Sequence, residues 1–90
     1  SNNNNNNNAG NQVYMQSNVF NPSSFTVPVN TTVTWTNKDS YDHTVTSTTG
    51  AFDSGNIVAG ATYSHQFTTA VIYNYKCTIH TNMTGTIVVQ

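Results

Sequence analysis

Tyr73-Asn-Tyr-Lys-Cys-Thr-Ile-His-Thr-Asn-Met-Thr-Gly85 is the stretch on which the reading of this chain turns. Cys77, His80 and Met83 follow one another with two residues between each pair, so a thiolate, an imidazole and a thioether share one short loop. Runs rich in β-branched and aromatic residues flank it, 71–75 before and 86–89 after, so the loop sits between two strands. A second imidazole, His43, lies far upstream in Asp42-His-Thr-Val-Thr46. One cysteine sulfur, two histidine nitrogens and a weak methionine sulfur form the donor set of a type 1 copper site. A closed zinc site prefers four strong donors and does not recruit methionine. A lone cysteine is ordinarily a buried thiol, but neighbours of this kind favour a ligand, and one copper ion is the expected cofactor.

Outward from the loop, the chain reads as a frame of short strands. No window carries sustained helical periodicity, and turn residues recur every eight to twelve positions. Strands are expected at 12–16, 32–37, 43–48, 61–67, 70–76 and 84–90. In the second of these, Val33 and Trp35 face one way and Thr32, Thr34 and Thr36 the other. Phe20, Phe25, Val27 and Val29 are apolar anchors in a segment broken by Pro22 and Pro28, which suits an edge or a bend. Asn37-Lys-Asp-Ser40 is a turn. Val45 shares a face with His43, and Phe52 is placed in a loop between Gly50 and Gly55. The pattern implies an all-β fold, a Greek-key β-sandwich of seven to eight strands, antiparallel or mixed. His43 opens a strand and Cys77 follows one, so both are expected at the same rim of the sandwich.

Composition limits what this frame can do. Residues 1–11 are almost all asparagine and read as a tail or linker, leaving 12–90 as one domain. A domain of that size hides only roughly 60% of its chain surface from water, so a metal bound to the folded form would add to a thin margin. Charged residues make up 6% of the chain, and the formal net charge is -1. Lys38 and Lys76 form no basic patch, which excludes nucleic acid or anionic lipid as an electrostatic partner. A single cysteine precludes an internal disulfide. Neither a secretory signal nor a membrane-spanning run occurs in the sequence, and no direct membrane insertion of this domain is expected. A polar, asparagine-rich start suits a spacer beyond a cleavage site or anchor. An extracytoplasmic location, periplasmic or at the cell surface, is therefore expected, with the linker as tether.

Four segments, Trp35-Thr-Asn-Lys-Asp39, His43-Thr-Val-Thr-Ser47, Phe52-Asp-Ser-Gly55 and Tyr73-x-Tyr-x-Cys-x-x-His-x-x-Met-x-Gly85, together resemble the signature of the cupredoxins, in particular the small plastocyanin- and amicyanin-like blue copper proteins. The resemblance runs from about Phe20 to Val89. It implies that His43, Cys77, His80 and Met83 are the copper ligands. It also implies that the backbone at Thr44 donates to the Cys77 sulfur and that Thr78 ties the two ligand segments together. His80 would be the partly exposed ligand through which electrons pass. The expected function is that of a one-electron carrier between redox protein partners that dock near His80, acting as a monomer. The alternative is a small-molecule oxidoreductase, for example on nitric oxide, at an open axial position; Ile79 and Thr81 stand beside His80 where many relatives carry proline. Copper storage or delivery is a third reading. A binuclear centre would need a second cysteine in the loop, and a multicopper oxidase further histidine pairs.

Other residues read more plainly. Trp35 is expected in the core, and Tyr73 and Tyr75 in strand packing. His65, sharing a face with Tyr63 and Phe67, reads as a part-buried, hydrogen-bonded histidine, and Asp42 as a turn residue. Asn30-Thr-Thr32 and Asn82-Met-Thr84 match the glycosylation acceptor pattern, the second by chance, since a glycan there would obstruct the ligand loop.

Overall fold

The computed structural model describes residues 11–90. The expected tail lies outside the described residues except for Asn11, whose carbonyl accepts the Thr34 amide. Eight strands and no helix occur among the described residues: β1 (Gln12–Gln16), β2 (Val19–Asn21), β3 (Ser24–Val27), β4 (Thr31–Asn37), β5 (Thr46–Ser47), β6 (Thr62–Phe67), β7 (Ile72–Lys76) and β8 (Thr84–Val89). They form two four-stranded sheets, ordered β2-β1-β4-β6 and β3-β8-β7-β5. Both sheets are mixed, because β1 runs parallel to β4 and β3 runs parallel to β8. The chain changes sheet repeatedly, so the expected all-β sandwich is the fold found.

Alternation along the strands explains the two layers. Val13 and Met15 of β1, and Val33 and Trp35 of β4, point inward, while their neighbours are more accessible. Tyr75, Ile87 and Val89 face them from the other sheet. Trp35 lies at the centre. Its ring meets Tyr75 edge-on at 5.5 Å, and its Nε1 donates to the Tyr75 hydroxyl at 3.2 Å. Burial alone raises Tyr75, and although the Trp35 contact opposes it, the phenol is pushed up to about 12. Phe52, the loop residue between two glycines, is buried against Trp35, Phe67 and Tyr75. His65 is part-buried as expected and rests on the rings of Phe52 and Phe67, at 5.1 and 4.8 Å.

One strand is much shorter than its sequence suggested, and β7, expected from residue 70, begins at Ile72. The segment expected as a strand over 43–48 keeps regular pairing only at Thr46–Ser47. Upstream, His43 exchanges backbone hydrogen bonds with Ile57 instead, at 3.2 and 2.8 Å. That detour is what leaves His43 free to turn its ring toward β7.

The register around β7 then positions the ligand loop. β7 and β8 pair antiparallel, with Lys76 opposite Thr84, so residues 77–83 form the connection of a hairpin. On the other side of β7, Thr46 pairs with Lys76 and Ser47 with Tyr75. Continuing that register past the strand ends sets Val45 opposite Cys77 and Thr44 opposite Thr78. Gly85 fits closely here, because a Cβ at this position would overlap the Tyr75 ring. Overpacking of this kind costs roughly 1–3 kcal/mol. Gly85→Ala should lower the unfolding free energy by that amount, read as a lower denaturant midpoint with the slope unchanged; a midpoint equal to the parent's would contradict the packing described for Tyr75.

Candidate metal centre

Three donors meet at the rim where the two sheets end. His43 Nδ1 lies 3.7 Å from Cys77 Sγ and His80 Nδ1 lies 3.8 Å from it. The three donor atoms are all within 4.8 Å of one another. These separations suit a single ion. With metal bonds of roughly 2.0 Å to nitrogen and 2.3 Å to sulfur, a trigonal arrangement sets nitrogen and sulfur about 3.7 Å apart. The donors also match copper in kind, since a thiolate suits Cu(I) and imidazoles suit both oxidation states. His43, Cys77 and His80 are thus arranged as a copper site.

Each donor is held by a different part of the fold. Cys77 follows the last residue of β7 and is fully buried. Its sulfur accepts the Thr44 backbone amide at 3.4 Å, the contact that the resemblance implied. The Thr44 hydroxyl in turn accepts the Thr78 amide at 2.9 Å and meets the Thr78 hydroxyl at 3.1 Å, so the two ligand segments are tied as expected. His43 is fully buried, whereas His80 is only partly so. Their rings meet at 5.0 Å, and the Tyr41 ring touches both, at 5.3 and 5.4 Å.

Met83 ends the loop. Its side chain is buried, its carbonyl accepts the Cys77 amide at 3.0 Å, and its amide donates to the His80 carbonyl at 2.9 Å. A loop without proline is thereby closed by main-chain hydrogen bonds at both Cys77 and His80.

The electrostatics of the sulfur follow from these contacts. Burial pushes the Cys77 thiol up, but hydrogen bonds to the sulfur, led by the Thr44 and His80 backbone amides, outweigh it and bring the thiol down to about 6. The site therefore favours a thiolate near neutral pH before any metal adds its own charge.

Two residues that the sequence reading left in a turn belong to this centre. Asp39 accepts from His43 Nε2 at 2.8 Å, on the side of the ring away from the sulfur. Burial raises its carboxyl, but hydrogen bonds from His43, Ser17 and Asn18 prevail and hold it below its ordinary value. Asn37, fully buried, donates to the carbonyls of Tyr41 at 2.8 Å and Ile57 at 2.9 Å and accepts the Asp39 amide at 2.9 Å. It thereby shapes the turn that carries Asp39 and Tyr41. Asp42, adjacent to His43 in sequence, instead accepts from the Asn56 side chain at 3.3 Å, on the surface. The spacing of Asp39 and His43, four apart outside any helix, gave no sign of contact. The Asn-x-Asp turn signature was the available clue.

Comparison with known proteins agrees with this geometry. The model of the cupredoxin-like domain family matches residues 1–89. The chain is 38% identical to plastocyanin from Scenedesmus fuscus, covering 80% of this chain and 87% of that protein. A purple cupredoxin from Nitrosopumilus maritimus superposes with a TM-score of 0.80 at 29% identity, covering 88% of this chain and 98% of that one. The Cu(I) form of an amicyanin variant gives 0.84 at 30% identity, covering 88% and 80%. A copper-containing nitrite reductase from Thermus scotoductus gives 0.82 at 29%, but the match spans only 22% of that enzyme.

The thiol's position makes a direct prediction. A folded-state value below the ordinary 9.0 means that the thiolate contributes stability above pH 9, which is lost as the pH falls through about 6. The ultraviolet thiolate absorbance of the metal-free protein should titrate near pH 6, and the unfolding free energy should rise with pH between 6 and 9. A midpoint above 8 would contradict the hydrogen bonding assigned to Cys77.

Proposed function

The chain belongs to the cupredoxin-like family, and from that premise we propose that it is a one-electron carrier between redox protein partners, with His43, Cys77, His80 and Met83 as ligands of one copper ion. The observation that carries the reading is the convergence of His43 Nδ1, Cys77 Sγ and His80 Nδ1 within 4.8 Å, with one of the two imidazoles reaching the surface. Copper bound there supplies reversible exchange of one electron between its Cu(I) and Cu(II) states. The residues of this chain supply rigidity, exclusion of water and a way out. Cys77 and His43 are buried in the sandwich, and the Thr44 amide holds the sulfur in place. Donors fixed by a sheet register rearrange little between oxidation states, which is what fast electron exchange requires.

His80 is the proposed exit. Tyr41, 43% exposed, and Ile79, 47% exposed, lie beside it in space and in sequence respectively. With 6% charged residues in the whole chain, a partner would dock on this neutral, apolar rim more by burial than by charge. No helix among the described residues is long and apolar enough to cross a membrane. The proposed setting is outside the cytoplasm, with the protein acting as a monomer.

The reading as a small-molecule oxidoreductase has less support. It needs an open position beside the ion, whereas Met83 is buried and the ligand loop is closed at both ends by backbone hydrogen bonds.

Copper-loaded protein should show the intense visible band and narrow electron-spin splitting of a thiolate–Cu(II) bond. Met83→Leu should retain the colour but raise the reduction potential, because removing a weak axial donor disfavours Cu(II) more than Cu(I). A colourless loaded protein would overturn the copper reading, and an unaltered potential would remove Met83 from the ligand set. Electron exchange with a protein partner should depend only weakly on ionic strength; a steep slope would overturn docking through the neutral rim.

A further inference from the structure

His43 meets Asp39 on the edge of its ring opposite the sulfur. An ionised carboxylate only accepts hydrogen bonds, so at 2.8 Å the Nε2 carries a proton, and in the neutral ring Nδ1 keeps its lone pair. Asp39 itself is held firmly. The Ser17 amide donates to Oδ1 at 2.9 Å and the Asn18 amide to Oδ2 at 3.3 Å. Ser17 and Asn18 form the tip of the β1–β2 hairpin, both in the left-handed region at φ 57° and 59°, which turns two successive amides to the same side. From below, the Asp39 amide is anchored to the buried Asn37 side chain. The carboxylate is thus fixed by a hairpin tip more than twenty residues away in sequence, with its side chain only 11% exposed.

We propose that Asp39 is the positioning residue of the centre: it locks His43 in the Nε2–H tautomer so that Nδ1 faces Cys77 Sγ before metal binds, and its negative charge biases the centre toward Cu(II). The inference rests on the reading of His43 as a ligand. Histidine ligands commonly donate their second N–H to a carboxylate or carbonyl, which sets ring orientation and raises basicity. In this chain a full charge does it, on a residue that makes no direct contact with the other two donors in the cluster. An amide could not replace it. Three N–H groups, from Ser17, Asn18 and His43, converge on the two carboxylate oxygens. An asparagine offers one oxygen and one NH₂, so at least one N–H would face another.

The test needs two readouts. In the metal-free wild type, nitrogen-15 spectra of the imidazoles should show neutral His43 protonated at Nε2. In Asp39→Asn the ring should turn to the Nδ1–H tautomer, at least in part, by accepting from the new NH₂. Copper affinity should fall roughly 10–100-fold, the usual cost of losing such a partner. The loss should be greater for Cu(II) than for Cu(I), so the reduction potential should rise by 59 mV for each tenfold difference between them. Asp39→Ser, which has no NH₂ to oppose the incoming donors, carries the same measurements if Asp39→Asn does not fold. An Nδ1–H tautomer in the wild type, or a folded variant with wild-type affinity and potential, would overturn the role of Asp39. A wild type that gives no thiolate–copper colour would instead overturn the reading of the centre, so the two failures are distinguishable.

Discussion

The pairing of a two-residue strand with its neighbour sets the geometry of the whole centre. β5 meets β7 only at Thr46–Lys76 and Ser47–Tyr75. That register, carried past both strand ends, brings the Thr44 amide to the Cys77 sulfur and the Thr44 hydroxyl to Thr78. A slip of β5 by one residue would turn Val45 out of the core and carry His43 away from Cys77, which β8 holds in place through β7. So short a ladder does not hold its register alone. It is pinned by Ser54, whose hydroxyl accepts the Val45 amide at 2.8 Å, by the Ser47 amide bound to the Phe52 carbonyl, and by Phe52 itself, buried against Trp35. The hydrophobic core and the metal site are in this sense one structure, and Trp35 at the centre of the sandwich supports a histidine at its rim.

A buried thiolate is costly unless its charge is answered by hydrogen bonds. Here the sulfur accepts a backbone amide, and the ring of His43 beside it is met by a carboxylate that is itself met by two amides. Polar groups so closely partnered have few alternative arrangements. The same connectivity makes the N-terminal hairpin part of the site, although none of its side chains is a candidate donor.

Much of this was legible in the sequence, and each exception has its own physical cause. β1 was expected at the residues it occupies, and the inward faces of Val33 and Trp35 followed from strict alternation. The cluster of His43, Cys77 and His80 was legible because soft and borderline ligands at close spacing seldom arise in a strand-loop-strand pattern for another reason. The strand over 43–48 was overestimated because its β-branched residues suit extended backbone equally well when, as at His43, the chain pairs with a loop residue such as Ile57. Asp39 was missed because its partners are two backbone amides and a ring edge, and backbone amides carry no residue-specific signal. Tyr41 was missed because one exposed tyrosine in a turn has no periodicity; its position over both imidazoles exists only after the turn at Asn37 has formed.

The central claim is that the sandwich sets His43, Cys77 and His80 in place before a metal arrives. Crystal structures of the protein with and without copper would test it most directly. The account predicts that the three donor side chains superpose to within about 0.5 Å, with the β5–β7 pairing and the Thr44 amide contact to sulfur present in both. A metal-free form in which His43 has swung away from Cys77, or in which β5 has left β7, would contradict it.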